Sequence, residues 1–200
     1  MLAVGNKTAR TAVLLDSVIQ AGRAALQEVD KRSRFEQALL PHLGAAYNLA
    51  RWLTRDDHGA EDVVQEAYLR ALKSFDGFHG TDARPWLLAI VRNASYSWLD
   101  QKRRRAAVAV FDETSHGTRA DAPNPEQQLL RKEDEQAVRK AVDELPVDLR
   151  EVVVLRELEG LSYKEIAVVA AVPLGTVMSR LARARERLQH RLGEPESKGT

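Results

Sequence analysis

The chain has 200 residues, 44% of them hydrophobic and 30% charged, enough for one or two small domains with cores of their own. It contains no cysteine, which excludes disulfides and thiolate metal sites, and its five histidines are scattered without an H-x-x-x-H pair. The net charge of +1 says little as a total, but the bases concentrate at Lys102–Arg105 and Arg180–Arg191 and the acids at Asp56–Glu66 and Glu133–Glu159. Local basic stripes on a nearly neutral chain suit two contacts with a polyanion and a protein partner elsewhere. No run approaches about 18 consecutive apolar residues, and the opening MLAVGNKTARTAV lacks an apolar signal core. A cytoplasmic protein with no membrane insertion is the expectation.

Taken in order, the segments show helical periodicity and no convincing strand alternation, so an all-α fold is predicted. Residues 1–34 stand apart as an N-terminal extension of unassigned role, in which Leu14, Val18, Ala21, Ala25 and Val29 line one face of a helix from about Thr11 to Val29. Phe35–Leu53 is helical, with Pro41 starting or kinking the main helix. Ala60–Phe75 has two faces: Val64, Ala67, Tyr68 and Ala71 on one side, Asp62, Gln65, Glu66 and Leu69 on the other. The acidic and amide face has no nearby lysine in sequence. Asp76–Arg84 carries two glycines and reads as a loop. Trp86–Arg105 is a long helix with Trp86, Leu87, Ile90, Ala94 and Trp98 as core contacts and a basic end. Ala106–Pro125, rich in Ala, Thr, Asp and Gly, reads as a flexible linker.

Beyond it, Glu126–Leu145 is helical, with Leu129, Leu130, Ala137, Val138, Ala141 and Val142 inward. Pro146 restarts the chain, Leu149–Leu158 forms another helix, and Gly193 and Pro195 end the last one, leaving 194–200 as a tail. Between lies the most informative stretch, GLSYKEIAVVAAVPLGTVMSRLARARERL from Gly160 to Leu188. Ser162 and Glu165 form an S-x-x-E capping box. Ile166, Val169 and Ala170 point inward, Ala167 is small enough for a close helix crossing, and Pro173 stands at the start of a second helix anchored by Val177 and Leu181. Thr176, Met178, Ser179, Arg180 and Arg183 are assigned to the opposite face. This is the pattern of a helix-turn-helix whose second helix enters the major groove. An ordinary helical hairpin with an arginine-rich solvated face is the plainer alternative. Tyr163 and Lys164, at the start of the first helix, fit phosphate contacts.

These residues carry a family resemblance. SYKEIA followed by VPLGTVMSRLARARERL resembles region 4 of the sigma-70 family, specifically the extracytoplasmic-function (group 4) sigma factors. Upstream, AEDVVQEAYLRAL (60–72) and ARPWLLAIVRNASYSWLDQKRRR (83–105) resemble region 2. The chain departs from the family pattern at Ala171, where glycine is often found in the turn, and at Met178, where lysine or arginine is frequent.

The resemblance implies two small helical domains, region 2 over 35–105 and region 4 over 126–193, joined by the flexible linker 106–125. It implies a factor that binds core RNA polymerase, recognises promoter DNA at two elements and promotes initiation, with no cofactor and no catalysis of its own. Asp62, Gln65, Glu66 and Leu69 would dock on the polymerase, charged and amide groups there setting orientation and partner choice more than bulk affinity. Phe78, Arg92, Asn93 and Ser97 would hold unstacked bases of the minus-10 element, and Lys102, Arg103 and Arg104 would meet its backbone. Tyr163, Lys164, Thr176, Met178, Ser179, Arg180 and Arg183 would meet the minus-35 element. Whether an anti-sigma factor is a further partner is left open. A free-standing helix-turn-helix regulator is the alternative function. The carboxylates Asp56, Asp57, Glu61, Asp62 and Glu66 have no phosphate-cradling motif beside them, so neither a metal nor a catalytic site is assigned.

Overall fold

The computed structural model describes residues 20, 26, 27, 29–80, 82–109 and 126–193, and among these no strand occurs. Most of the expected N-terminal helix, residues 110–125 of the expected linker, and the tail 194–200 lie outside the described residues. The chain divides into two units, 1–41 and 42–200.

In the first unit, residues 29–39 form helix α1. Its exposed surface carries the pairs Asp30–Arg34 and Arg32–Glu36, both at i, i+4. Leu26 and Val29 are exposed. Val29 was expected on a covered face, but the unit offers no second described helix to cover it. Pro41 sits in a short 3-10 turn, Leu40–His42, which resolves whether it starts or kinks the main helix: the helix begins just after it.

The second unit opens with three helices that pack on one another: α2 (Leu43–Thr54), α3 (Asp57–Ser74) and α4 (Ala83–Ala109). Their shared core is Leu49 and Leu53 of α2, Val63 and Ala67 of α3, and Leu87, Leu88 and Val91 of α4. The apolar face of α3 is rich in alanine and ends in Gly59, so its neighbours approach closely. A Cβ at Gly59 would collide with the Trp98 indole. Arg55 closes α2 in the left-handed region, and Asp56 then caps α3 by accepting a 2.8 Å bond from the Gly59 N–H. The long helix α4 buries Leu88 and Val91 in addition to the expected Leu87 and Ala94, while Ile90 and both tryptophans are only half-buried. It also continues four residues past the expected start of the linker.

Four further helices follow: α5 (Glu126–Glu144), α6 (Val147–Val153) running into a π-helical turn at Val154–Leu158, α7 (Tyr163–Ala170) and α8 (Leu174–Gly193). On α5, Ala141 and Val142 are buried, but Ala137 and Val138 are exposed. Among the side chains of α5 that are described, from 135 on, only those of its last turn reach the core. The capping box at Ser162 and Glu165 forms in both directions. Ile166, Val169, Ala170, Val177 and Leu181 are buried as expected. Ala171 makes the turn between α7 and α8 with φ at 53°, in the left-handed region.

Candidate nucleic-acid interface

The exposed residues of α8 follow from its one buried stripe. Val177, Leu181 and Ala184 repeat at helical spacing and face the other helices, which turns Met178, Ser179, Ala182 and Arg183 to solvent and leaves Thr176 half-buried. The Ser179 hydroxyl donates to the Thr176 carbonyl at 3.0 Å, and Arg183 Nε donates to the Ser179 carbonyl at 3.4 Å. At the start of α7, Lys164 is exposed, and the half-buried Tyr163 ring lies 5.1 Å from the Arg156 guanidinium. Arg185 pairs with Glu157 at 3.0 Å, and Arg191 with Glu144 at 2.7 Å.

Arg180 departs from the expectation. Its side chain is 18% exposed and turns inward, with Asp148 at 3.6 Å and Glu151 at 3.9 Å. It lies on the border of the buried stripe, next to Leu181, and the carboxylates of α6 draw the guanidinium to that side. It therefore shares no open face with Arg183, and holds α8 against α6 instead.

The centre of this arrangement is Glu151, whose side chain is fully buried. Besides facing Arg180 as an ion pair without a hydrogen bond, it accepts a bond from Arg92 Nε at 2.7 Å and one from the Tyr96 hydroxyl at 3.1 Å, both donors on α4. Burial raises the Glu151 pKa, against the pull of Arg92. Burial, helped by Glu151, pushes the Tyr96 hydroxyl up to about 12. A second bond of the same kind joins Arg84, at the start of α4, to the buried Glu159 at 2.6 Å. Periodicity alone did not bring out Glu151 or Glu159. Glu151 has one signal in the sequence, an acid set among Leu149 and Val152–Leu155, apolar residues that are all buried; Glu159 has no such setting.

The other expected residues on α4 divide into two groups. Arg92 is held by Glu151 and lies 4.2 Å over the Tyr96 ring, which corrects its expected placement in an open pocket. Asn93 and Ser97 are exposed, one turn apart. Asn93 Oδ1 accepts from Arg92 at 3.1 Å, and the Ser97 hydroxyl donates to the Asn93 carbonyl at 3.0 Å. Phe78 is half-buried, with its ring 4.7 Å from Trp86 and 6.2 Å from Phe75. Arg103 and Arg104 are exposed. Lys102 pairs with the cap residue Asp56 at 3.1 Å and lies 4.6 Å over Trp98.

On α3, Asp62, Gln65, Glu66 and Leu69 are all exposed, Leu69 by half. The face is not free of bases, since Arg70, one turn beyond Glu66, pairs with it at 2.7 Å. Beside it runs an apolar groove lined by Leu43, Tyr47, Val64, Gln65 and Tyr68. Among the described residues no cluster of His, Asp and Glu side chains is arranged to hold a metal ion, and no single helix is long and apolar enough to cross a membrane.

Two family models match the chain: Sigma-70 region 2 over residues 39–105 and Sigma-70, region 4 over residues 135–188. The RNA polymerase sigma-H factor of Pseudomonas aeruginosa is 37% identical over 175 residues, covering 84% of this chain and 90% of that protein. The ECF RNA polymerase sigma-E factor of Escherichia coli is 39% identical over 138 residues, covering 66% and 72%. Among solved structures, the sigma factor RpoE of Bartonella quintana in complex with the anti-sigma factor NepR superimposes with a TM-score of 0.63 at 32% identity, over 80% of this chain and 97% of that one. CnrH in complex with the cytosolic domain of CnrY gives 0.56 at 26% identity, over 81% and 89%. With the helix-turn-helix in α7 and α8, the three-helix unit before it, and both family regions matched in order, this chain belongs to the sigma-70 family and is an RNA polymerase sigma factor of the extracytoplasmic-function type.

Proposed function

We propose that the two halves of the chain divide the work of initiation, with region 2 over 35–105 and region 4 over 126–193. The exposed face of α3, Asp62, Gln65, Glu66 and Leu69, docks on core RNA polymerase. Asn93, Ser97 and Phe78 hold unpaired bases of the minus-10 element, with Arg103 and Arg104 on its backbone. Lys164, Thr176, Met178, Ser179 and Arg183 meet the minus-35 duplex. Arg92, Arg180 and Lys102 act first as structural ties in the free chain, and their contact with DNA requires those ties to open. The polymerase carries the chemistry; this chain needs no cofactor and acts where the polymerase is, in the cytoplasm. An anti-sigma factor is a further partner, of the kind seen with the Bartonella relative.

The observation that carries this reading is that both family regions stand in order on one chain and each leaves polar residues exposed on a rigid helix. A free-standing regulator would have no use for the docking face of α3. Co-purification with core polymerase tests that face. Replacing Asp62 and Glu66 by Lys is expected to weaken core binding at unchanged helix content, because both side chains are exposed. Wild-type affinity in the double variant would remove α3 from the docking surface.

A further inference from the structure

The stretch of α8 from Leu174 to Ala182 carries an unusual front for a helix that enters a major groove. With Arg180 turned inward, the exposed side chains there are Leu174, Met178 and Ala182, spaced four apart on one face, with Ser179 beside them. Leu174 is 42% exposed and Met178 53%. The hydroxyl proton of Ser179 is already given to the Thr176 carbonyl. No cation stands on this strip. Further along the same helix Arg183, Arg185 and Arg187 are exposed, with Glu186 among them one turn beyond Ala182, and Lys164 is exposed at the start of α7. The arrangement is an apolar strip followed on the same helix by a mostly basic exposed stretch, a pattern suited to base edges bordered by phosphates.

In the major groove, the apolar group that a base pair presents is the thymine C5-methyl. A guanine is read by a bidentate Arg or Lys, and an adenine by Asn or Gln; none of these occupies the front of α8. We propose that Met178, flanked by Leu174 and Ala182, is a specificity-determining residue that selects thymine in the upstream element through its methyl group, while Arg183 and Lys164 contact the backbone. The inference rests on the reading of α8 as the groove helix.

Uracil in place of thymine removes that methyl and nothing else. The full chain, assembled with core polymerase, is used to select bound duplexes from a random-sequence pool, and a selected duplex is then remade with single uracils. Wild type is expected to lose roughly three- to fivefold in affinity at one or two upstream thymines, the size associated with one buried methyl group. Met178→Ala should no longer distinguish thymine from uracil there, and Met178→Lys should shift the selected base toward guanine. Met178 is exposed, so both variants are expected to fold, and helix content checks this. If no thymine is sensitive to uracil in wild type while Arg183→Ala still weakens binding, α8 docks in the groove but Met178 does not read methyl groups, and the proposal fails. If no upstream element is selected and Arg183→Ala binds as wild type, the groove reading of α8 fails with it.

Discussion

Arg92 on α4 and Glu151 on α6 meet at 2.7 Å, with the carboxylate fully buried and the guanidinium mostly so. Fifty-nine residues apart in sequence, they join the three-helix part of the unit to the helix-turn-helix part. Tyr96 and Arg180 converge on the same carboxylate. A buried ion pair is a weak source of net stability, since desolvation offsets attraction, but removing one partner strands the other. Glu151→Ala would leave Arg92 and Arg180 without their shared acid. The expected cost is about 3–5 kcal/mol, read from urea or guanidinium unfolding. A change within experimental error would mean that the two parts separate readily in solution and that the pair is not populated there.

Asp56 stands at another junction. Its carboxylate caps α3 through the Gly59 N–H and also receives Lys102 from α4. These bonds, the backbone one first, hold its pKa below the usual aspartate value. Replacing a capping Asp by Ala typically costs about 1 kcal/mol, and Asp56→Ala should lower stability at pH 7 by about that amount. The sign of the pH dependence follows from the lowered pKa. The contribution is complete above the unfolded value of roughly 3.9 and disappears as pH falls through the folded one. The gap between the unfolding midpoints of wild type and Asp56→Ala should therefore stay constant from pH 7 to about 4 and narrow as the pH is lowered further. A gap that widens on acidification would contradict the capping role.

Ala171 turns the chain between α7 and α8 with φ at 53°, where glycine is the residue without strain. The left-handed conformation costs a residue with a Cβ roughly 1–2 kcal/mol. Glycine's greater freedom in the unfolded chain offsets about 0.4–1 kcal/mol of any gain. Ala171→Gly is expected to stabilise the protein by about 0.5–1 kcal/mol, raising the thermal midpoint by a few degrees. A lower midpoint would show that the turn is relaxed with alanine in place.

What was legible in the sequence was local. The capping box at Ser162 and Glu165, the turn at Ala171, and the buried positions Ile166, Val169, Val177 and Leu181 all follow from spacing within one or two helical turns, and the structure has each of them. The exposed acids of α3 are legible for the same reason, and so is the i+4 spacing that pairs Glu66 with Arg70. The directions of Arg92 and Arg180 were not legible. Periodicity places each on the edge of a buried stripe, and which way an edge residue turns depends on a carboxylate that another helix brings up. Ala137 and Val138 were misplaced for a related reason: a helix keeps its apolar pattern beyond the point where a neighbour covers it.

Two separate promoter elements are the proposed route by which this chain directs core RNA polymerase. The direct measurement is transcription in vitro from genomic DNA with purified core polymerase, with and without the full chain, and mapping of the RNA 5′ ends. New start sites are expected that appear only with the chain and share two upstream sequence elements, one near minus-10 and one near minus-35. The same set of 5′ ends with core polymerase alone and with the chain added would contradict it.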